Sequence, residues 1–537
     1  MKTIRILFIA IITAGFFTSC GEDFLTASST NSKPYGTDPV TEQSINENLA
    51  AAYHILLRDN YASGYNSVLL LSDMRGDDCF KGGESAGDQR QFVNLSTFTC
   101  NPTQNIYGFW QLFYRGVARC NETVANANLF IEENGATDKV KSYKAEALFL
   151  RAYFMHWIWL NWGNVPYPKA LTTQETQFIA EQYTVDEVYE RLIEDIAECE
   201  ALGALQMASY ELGRVNLAAV YMLKAIIVMY QKDNSKYNEI AANMASIINS
   251  GVYGLMDDFD KMWLQEGEFC KENIFETNAG RGGTAWGTSA GNPYGFGTNF
   301  PRFIGPRNFN DPNGEFEEGW GFGPVRPYLY RVANEQTDPD GKAPLFESAA
   351  DVRRTASVNY FDVSLYVPAA QDTRGYWYRK YARRAGYNAG TGGDGDINFV
   401  NNMRIFRYAE TLLNYAELVG VMGASASGGV LAQNCLDQVR TRANVASIAV
   451  NQENIELERH REFIGEGKRY WDLIRWDKAA STLTENFIQP SADKDGQPAS
   501  FVFSRTWDPA KSKYLPIPVE EVNARLGTPY EIIQNPF

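Results

Sequence analysis

Histidine is scarce in this 537-residue sequence, with only His54, His156 and His460, far apart in the chain. Each sits in a stretch read as helix, where core or surface roles suit it better than catalysis. Cysteine is sparse too. Beyond Cys20 there are Cys79, Cys100, Cys120, Cys199, Cys270 and Cys435, with no C-x-x-C and no metal spacing, which excludes a structural zinc site. Most read as small buried hydrophobes; a Cys79–Cys100 disulfide stays open for a chain outside the cytoplasm. No G-x-S-x-G, H-E-x-x-H or phosphate loop is present. Basic charge is short as well: 49 Lys and Arg face 65 Asp and Glu, for a net charge of −16. That argues against nucleic acid and against docking on anionic lipid. No apolar run is long enough to span a bilayer. What is abundant is aromatic: 13% of residues, including 30 Tyr and 11 Trp. Hydrophobic content of 45% and charged content of 21% are those of a globular chain, long enough for two domain-sized cores or one large one.

The N-terminus has its own logic. Lys2 and Arg5 precede an apolar stretch, Ile6 to Phe17, and then Thr18, Ser19 and Cys20. This is a signal peptide over residues 1–19, too short for a membrane span. Phe17-Thr18-Ser19-Cys20 resembles a bacterial lipobox, which makes Cys20 the expected lipid attachment site. Each buried acyl methylene contributes about 0.8 kcal/mol, and stable anchoring takes more than one chain. A diacylated cysteine meets that condition without a transmembrane helix.

The body reads as mainly α. Thr184-Val185-Asp186-Glu187 is a capping box, followed by Val188, Leu192, Ile196 and Cys199 on one helical face. Residues 140–160 are apolar almost all round, broken by Glu146, Arg151 and His156, and predict a buried core helix. Asn216–Gln231 and Tyr237–Ile248 predict a helix pair. Met403 onward predicts an amphipathic helix through RIFRYAETLLNYAELV, with Asn434–Ala443 as its partner and Asn454–Trp476 after it. Helix pairs recurring in both halves suggest an α-solenoid-like scaffold.

Residues 280–330 differ, holding twelve Gly, six Pro and eleven aromatics with no period of 2 or 3.6. They read as long surface loops rather than core elements. Sugar rings present apolar faces to aromatic planes, and their hydroxyls need amides and charged groups at the rim. The loop offers Trp286, Tyr294, Phe296 and Trp320, with Asn292, Asn299 and Asn308 beside them. For each aromatic the rival role is cover for the core. A second candidate surface is Asp73–Thr103, with Asp77, Asp78, Phe80, Lys81, Asp88, Arg90 and Gln91, of which Asp78 and Arg90 are taken as ligand contacts. A solvated loop is the rival reading there. Gly393-Asp394-Gly395-Asp396 with Asn398 offers oxygen atoms for Ca²⁺, with an acidic turn as the rival. Glu458, Glu462 and Glu466 lie at four-residue steps among Arg459, Arg461, Lys468 and Arg469, the pattern of an ion-paired helix face rather than of the carboxylates of an extracellular glycan-degrading enzyme.

Several segments in order resemble the SusD/RagB family. KAEALFLRAYFMHWIWLNWGNVPY (144–167), LGRVNLAAVYMLKAIIVMY (212–230) and YNEIAANMASIINSGVYGL (237–255) are similar to its N-terminal helices. DVRRTAS (351–357), RIFRYAETLLNYAEL (404–418), LDQVRTRANV (436–445), ERHREFIGEGKRYWDLIRW (458–476), YLPIPVEEVNA (514–524) and QNP (534–536) resemble its C-terminal signature. The resemblance implies a SusD-like N-terminal helical region over 20–255 and a RagB/SusD C-terminal region over 256–537. The implied fold is a tetratricopeptide-like scaffold of helical hairpins with an irregular, loop-rich ligand-binding subdomain. It also implies a surface-exposed lipoprotein of the outer membrane that binds an oligomeric nutrient, most often an oligosaccharide or polysaccharide and in some relatives a peptide. The implied partner is a TonB-dependent β-barrel transporter of the SusC type, with no catalysis and no cofactor. Gly21-Glu22-Asp23 after Cys20 resembles the export signal that Bacteroidetes-type bacteria use for surface lipoproteins.

Overall fold

The computed structural model describes residues 39–57, 67–171, 180–280, 297–335, 337–387, 395–396 and 398–537. Residues 1–19, Cys20 and Gly21-Glu22-Asp23 lie outside these residues, as do Trp286, Asn292, Tyr294, Phe296 and Asp394.

The N-terminal helices are α1 (Glu42–Tyr53), α2 (Val68–Arg75), α3 (Arg90–Thr97), α4 (Tyr107–Asn134), α5 (Asp138–Trp162), α6 (Val185–Ala201), α7 (Leu217–Gln231) and α8 (Tyr237–Asn249). Their starts are set by side chains that accept free first-turn N–H groups. Thr41 and Thr184 close capping boxes with Ser44 and Glu187, while Thr137 and Asn216 cap α5 and α7. The C-terminal helices are α9 (Tyr408–Gly420), α10 (Ala432–Arg442), α11 (Gln452–Glu462) and α12 (Arg469–Arg475). Neighbours pack in pairs, α4 on α5, α7 on α8 and α9 on α10, and α8 packs on α9 to join the two halves. The mainly α, hairpin-based scaffold read from the sequence is the one observed.

The helix over 140–160 is indeed interior. α5 is surrounded by α1, α4 and α6 and buries Phe149, Phe154, Trp159 and Trp162. Each such side chain contributes about 1.5–3 kcal/mol by leaving water. At Gly116 a Cβ would stand 2.7 Å from the Phe154 ring, so α4 seats α5 only with glycine there. One main core runs from Leu49 to Ile532 and draws on both halves. No helix among the described residues is long and apolar enough to cross a membrane.

Two readings need correction, and one that stayed open is decided. Arg404–Arg407 is not the first turn of a helix but a strand, β4, pairing antiparallel with β1 (Asn273–Glu276); between them lie β2 (Val358–Tyr360) and β3 (Tyr376–Tyr378), also an antiparallel pair. Asn454–Trp476 is two helices, because Gly465 and Gly467 take φ of +76° and +68° and break it. The Cys79–Cys100 bridge is absent, both thiols being free. A longer hairpin, β5 (Glu485–Ala492) with β6 (Pro498–Arg505), closes the chain's strand set.

Candidate functional site

The two candidate surfaces are one. Residues 319–325 run between 79–83 on one side and 302–306 on the other, joined by backbone bonds. Trp320 N–H donates to Arg302 O (2.6 Å), Gly321 to Gly305 O (2.8 Å) and Phe322 to Phe303 O (2.9 Å). On the far side Gly83 N–H donates to Gly321 O (2.7 Å) and Phe80 N–H to Pro324 O (3.0 Å). Glycine makes the seam. A Cβ at Gly82 would stand 2.1 Å from Gly321 O, and one at Gly319 would stand 2.4 Å from the Gly305 backbone.

This packing overturns the reading of 280–330 as surface loop for 300–306 and 321–329, while 307–315 is the surface loop expected. Phe300, Phe303, Ile304, Phe322, Val325, Tyr328 and Leu329 are core residues. The backbone is irregular because backbone bonds and glycine contacts, rather than a repeating side-chain face, hold it in place.

Trp320 lies half-buried on this seam. Its ring meets Phe303 edge-on at 4.8 Å, Phe303 continues to Phe322 at 5.4 Å, and Phe322 to Phe92 of α3 at 5.5 Å. The indole thus rests on an aromatic stack rooted in the core. The Arg302 guanidinium carbon is 5.8 Å from its ring centre, and Arg307 Nη1 donates to its backbone oxygen at 3.3 Å.

Both arginines are answered by carboxylates. Arg302 meets Glu318 at 2.8 Å and Asp396 at 3.1 Å; Arg307 meets Glu84 at 3.4 Å. Arg326, the third cation among the segment's described residues, is fully buried between Asp340 (2.6 Å) and Glu485 (2.9 Å). Asp396 also meets Arg383 at 3.5 Å. The carboxylate put forward for Ca²⁺ therefore faces two arginines, and an added cation there would compete with both.

Asn308 is exposed beside Arg307, with φ of +46°. Arg90 is exposed at the start of α3. Asn299 is fully buried, with no hydrogen-bond partner for either amide atom among the described residues. Asp78 is also fully buried, and its Oδ1 lies 2.7 Å from His460 Nε2. As a ligand contact Asp78 is a correction: it has no surface to offer.

The solvated-loop reading of 73–103 fails at its first ten residues for the same reason. Asp77 is buried against Lys342 (2.8 Å) and Arg469 (2.8 Å). Asp77, Asp78 and His460 cluster closely enough to hold a metal, but two protein cations already occupy that role. Lys81 is buried and donates to the carbonyls of Ser85 (2.8 Å) and Asp88 (2.9 Å), which folds the exposed turn 84–88 back over the seam. Burial pulls its pKa down to about 8, with Asp88 opposing. The contribution of Glu84 and Glu318 was not read from the sequence, where neither carries a local signal.

Glu458, Glu462 and Glu466 are ion-paired: Arg461 on the same helix comes within 3.6 Å of Glu458, and the nearer cations are brought from elsewhere in the chain. Glu458 meets Arg353 (2.6 Å) and Arg440 (2.7 Å); Glu462 meets Arg442 (2.6 Å) and Arg407 (3.1 Å); Glu466 meets Lys380 (2.6 Å) and Arg407 (2.8 Å). All are buried. Burial would raise the Glu462 pKa; Arg442, Arg407 and Arg353 overcome that and hold it at about 2. A carboxyl that acid cannot serve as a proton donor near neutral pH.

With this geometry in hand, known proteins are informative. Residues 363–537 match the family model described as the SusD family, and residues 23–228 match one described as starch-binding, associating with outer membrane. The structure is similar to surface glycan-binding protein A from Bacteroides fluxus, with 43% identity, a TM-score of 0.81, and coverage of 93% of this chain and 100% of that one. The chain belongs to the SusD/RagB family. Another SusD-like relative is surface glycan-binding protein A from Bacteroides thetaiotaomicron, solved in complex with laminarihexaose: 36% identity, TM-score 0.77, 92% of this chain and 99% of that one. A laminarin-binding SusD-like protein matches at 26% identity and TM-score 0.75, over 92% of this chain and 99% of its own. SusD-like proteins of this kind are binding proteins, and this chain is not an enzyme. Its family places it in association with the outer membrane.

Proposed function

We propose that this protein captures a neutral oligosaccharide or polysaccharide at the Trp320 face and delivers it to a TonB-dependent barrel of the SusC type. Lipid on Cys20 holds it on the outer surface of the outer membrane. The observation that carries the reading is the core-rooted indole of Trp320 flanked by arginines already matched by carboxylates. A rigid aromatic plane costs little entropy when a sugar stacks on it. Paired rather than free arginines leave hydrogen-bonding capacity for hydroxyls and no net positive charge to draw a uronate or sulfate. Laminarihexaose on a relative of 36% identity supports a glucan of that kind. Trp286, Tyr294, Phe296, Asn292, Asn308 and Arg90 complete the proposed contact set.

The test is calorimetric titration of the mature protein with laminarihexaose, a uronate oligomer of equal length and a peptide of similar mass. Laminarihexaose binds, and Trp320→Ala weakens it about tenfold. Failure to bind any neutral glycan, or preference for the uronate or the peptide, overturns the proposal. Mass analysis of the membrane-extracted protein should find acyl chains on Cys20, and affinity capture through the lipoprotein should recover a large barrel.

A further inference from the structure

The search for a site beyond the Trp320 face leads to the β2–β3 hairpin. Tyr360 and Tyr376 are cross-strand partners, with ring centres 5.2 Å apart and planes inclined at 54°. Tyr376 in turn meets Tyr330 at 5.5 Å and 51°. Tyr330 and Tyr376 are half-buried, while Tyr360 leaves 51% of its surface in water. Three tyrosines therefore stand in a row along one surface, where a monomeric protein normally avoids setting large apolar rings together.

The row is built to stay in place. The Arg354 guanidinium carbon lies 4.4 Å from the Tyr330 ring centre and fixes that ring by a cation–π contact. Beneath Tyr360 is Gly375, with φ of +113°; a Cβ there would stand 3.0 Å from the Tyr360 ring and 2.2 Å from Phe361 O. Only glycine lets the ring lie down on the backbone. Trp377, next to Tyr376 in β3, is fully buried in a small cluster with Tyr366 and Ala369, while the inner faces of Tyr330 and Tyr376 pack on the main core. The exposed faces of Tyr360 and Tyr376 are not needed for that.

We propose that Tyr330, Tyr376 and Tyr360 form a second glycan-contact ridge, which takes neutral hexose units of a chain longer than the Trp320 face can hold. Each phenol adds a hydroxyl for the sugar rim. The ridge is tied to the face already described through the backbone: the segment that carries Trp320 runs on beneath it, where buried Val325 N–H donates to Tyr376 O at 2.9 Å. This inference rests on the glycan-binding reading above.

Affinity electrophoresis in gels containing laminarin, paired with calorimetric titration of laminarihexaose, tests it on the full mature chain. The double variant Tyr360→Ala/Tyr376→Ala should lose about tenfold in affinity for the polymer and stay within twofold for the hexasaccharide. Tyr360→Ala alone, at the most exposed position, should show the same split to a smaller degree, with an unchanged melting temperature. Unaltered polymer retention in both variants refutes the ridge while leaving the Trp320 face standing. Equal losses for polymer and hexasaccharide also refute it, because they would place the tyrosines in the first site or in its support. If the unaltered protein binds neither glucan, the proposed function itself falls and the ridge with it.

Discussion

Two parts of this molecule are made from the same chemistry, arginine against carboxylate, and use it to opposite ends. Around α11 the pairs are sealed. Arg353, Arg407, Glu458 and Glu462 are all within 1% of complete burial, and each charge finds partners from distant parts of the chain. At the Trp320 face the pairs are open: the Glu84, Glu318 and Asp396 side chains are 73%, 38% and 31% exposed. A sealed pair is costly to break, because the surviving partner is left charged in a poor solvent. An open pair contributes little to stability and is free to trade its bonds for a ligand's hydroxyls. Burial, more than residue type, separates the frame from the site.

The sharpest way to break this contrast is Arg407→Ala. It strips Glu272, Glu462 and Glu466 of a shared cation and should cost about 3–5 kcal/mol in urea denaturation; a loss below about 1 kcal/mol would make the two regions alike. Gly82→Ala follows, at about 1–3 kcal/mol, from a left-handed backbone (φ +68°) and the clash with Gly321 O. It should also loosen the glycan face, read as a parallel loss of laminarihexaose affinity. Acid sharpens the comparison from another side. Arginines hold the Glu462 pKa at about 2 against the effect of burial, and Arg459 and Arg475 do the same for Asp472, also at about 2. In the unfolded chain these groups take up protons near pH 4. Their stabilisation is therefore complete above about pH 4.5 and is lost as pH falls toward 2, so thermal melts should decline steadily across that window. Glu84→Gln should do least to the frame, under about 1 kcal/mol. Freeing Arg307, it should raise affinity for a uronate oligomer, and no gain would mean that Glu84 does not govern charge selection.

Much of the scaffold was legible from sequence because helix caps and apolar faces are local signals. Thr184 with Glu187, and Asn216 before α7, mark their helices to the residue. Arg404–Arg407 was misread because its apolar residues fit both a helix and a strand, and only the distant Asn273–Glu276 decides between them. The site was half legible. Trp320 among glycines drew attention, but the glycines serve a seam of three segments, one of which, at Gly82 and Gly83, lies over two hundred residues away in sequence. Asp78 looked like a loop acid because nothing nearby announces His460 as its partner. The tyrosine ridge gave no signal at all, since Tyr330, Tyr360 and Tyr376 come together only through the β2–β3 pairing and the packing against it.

The glycine seam has a consequence for how such a protein can change. Gly82 and Gly319 admit no side chain without pushing the neighbouring backbone away, Gly305 is tightly packed on Gly319, and Gly321 holds a φ of +79°, so the four form a fixed chassis. Glu84, Arg90, Asn308 and Trp320 project from that chassis and can be exchanged without disturbing it. A library randomised over all eight positions and selected for a new glycan should return winners altered at the second four and silent at the first. New appetites would then arise by swapping upholstery on an unchanged seat.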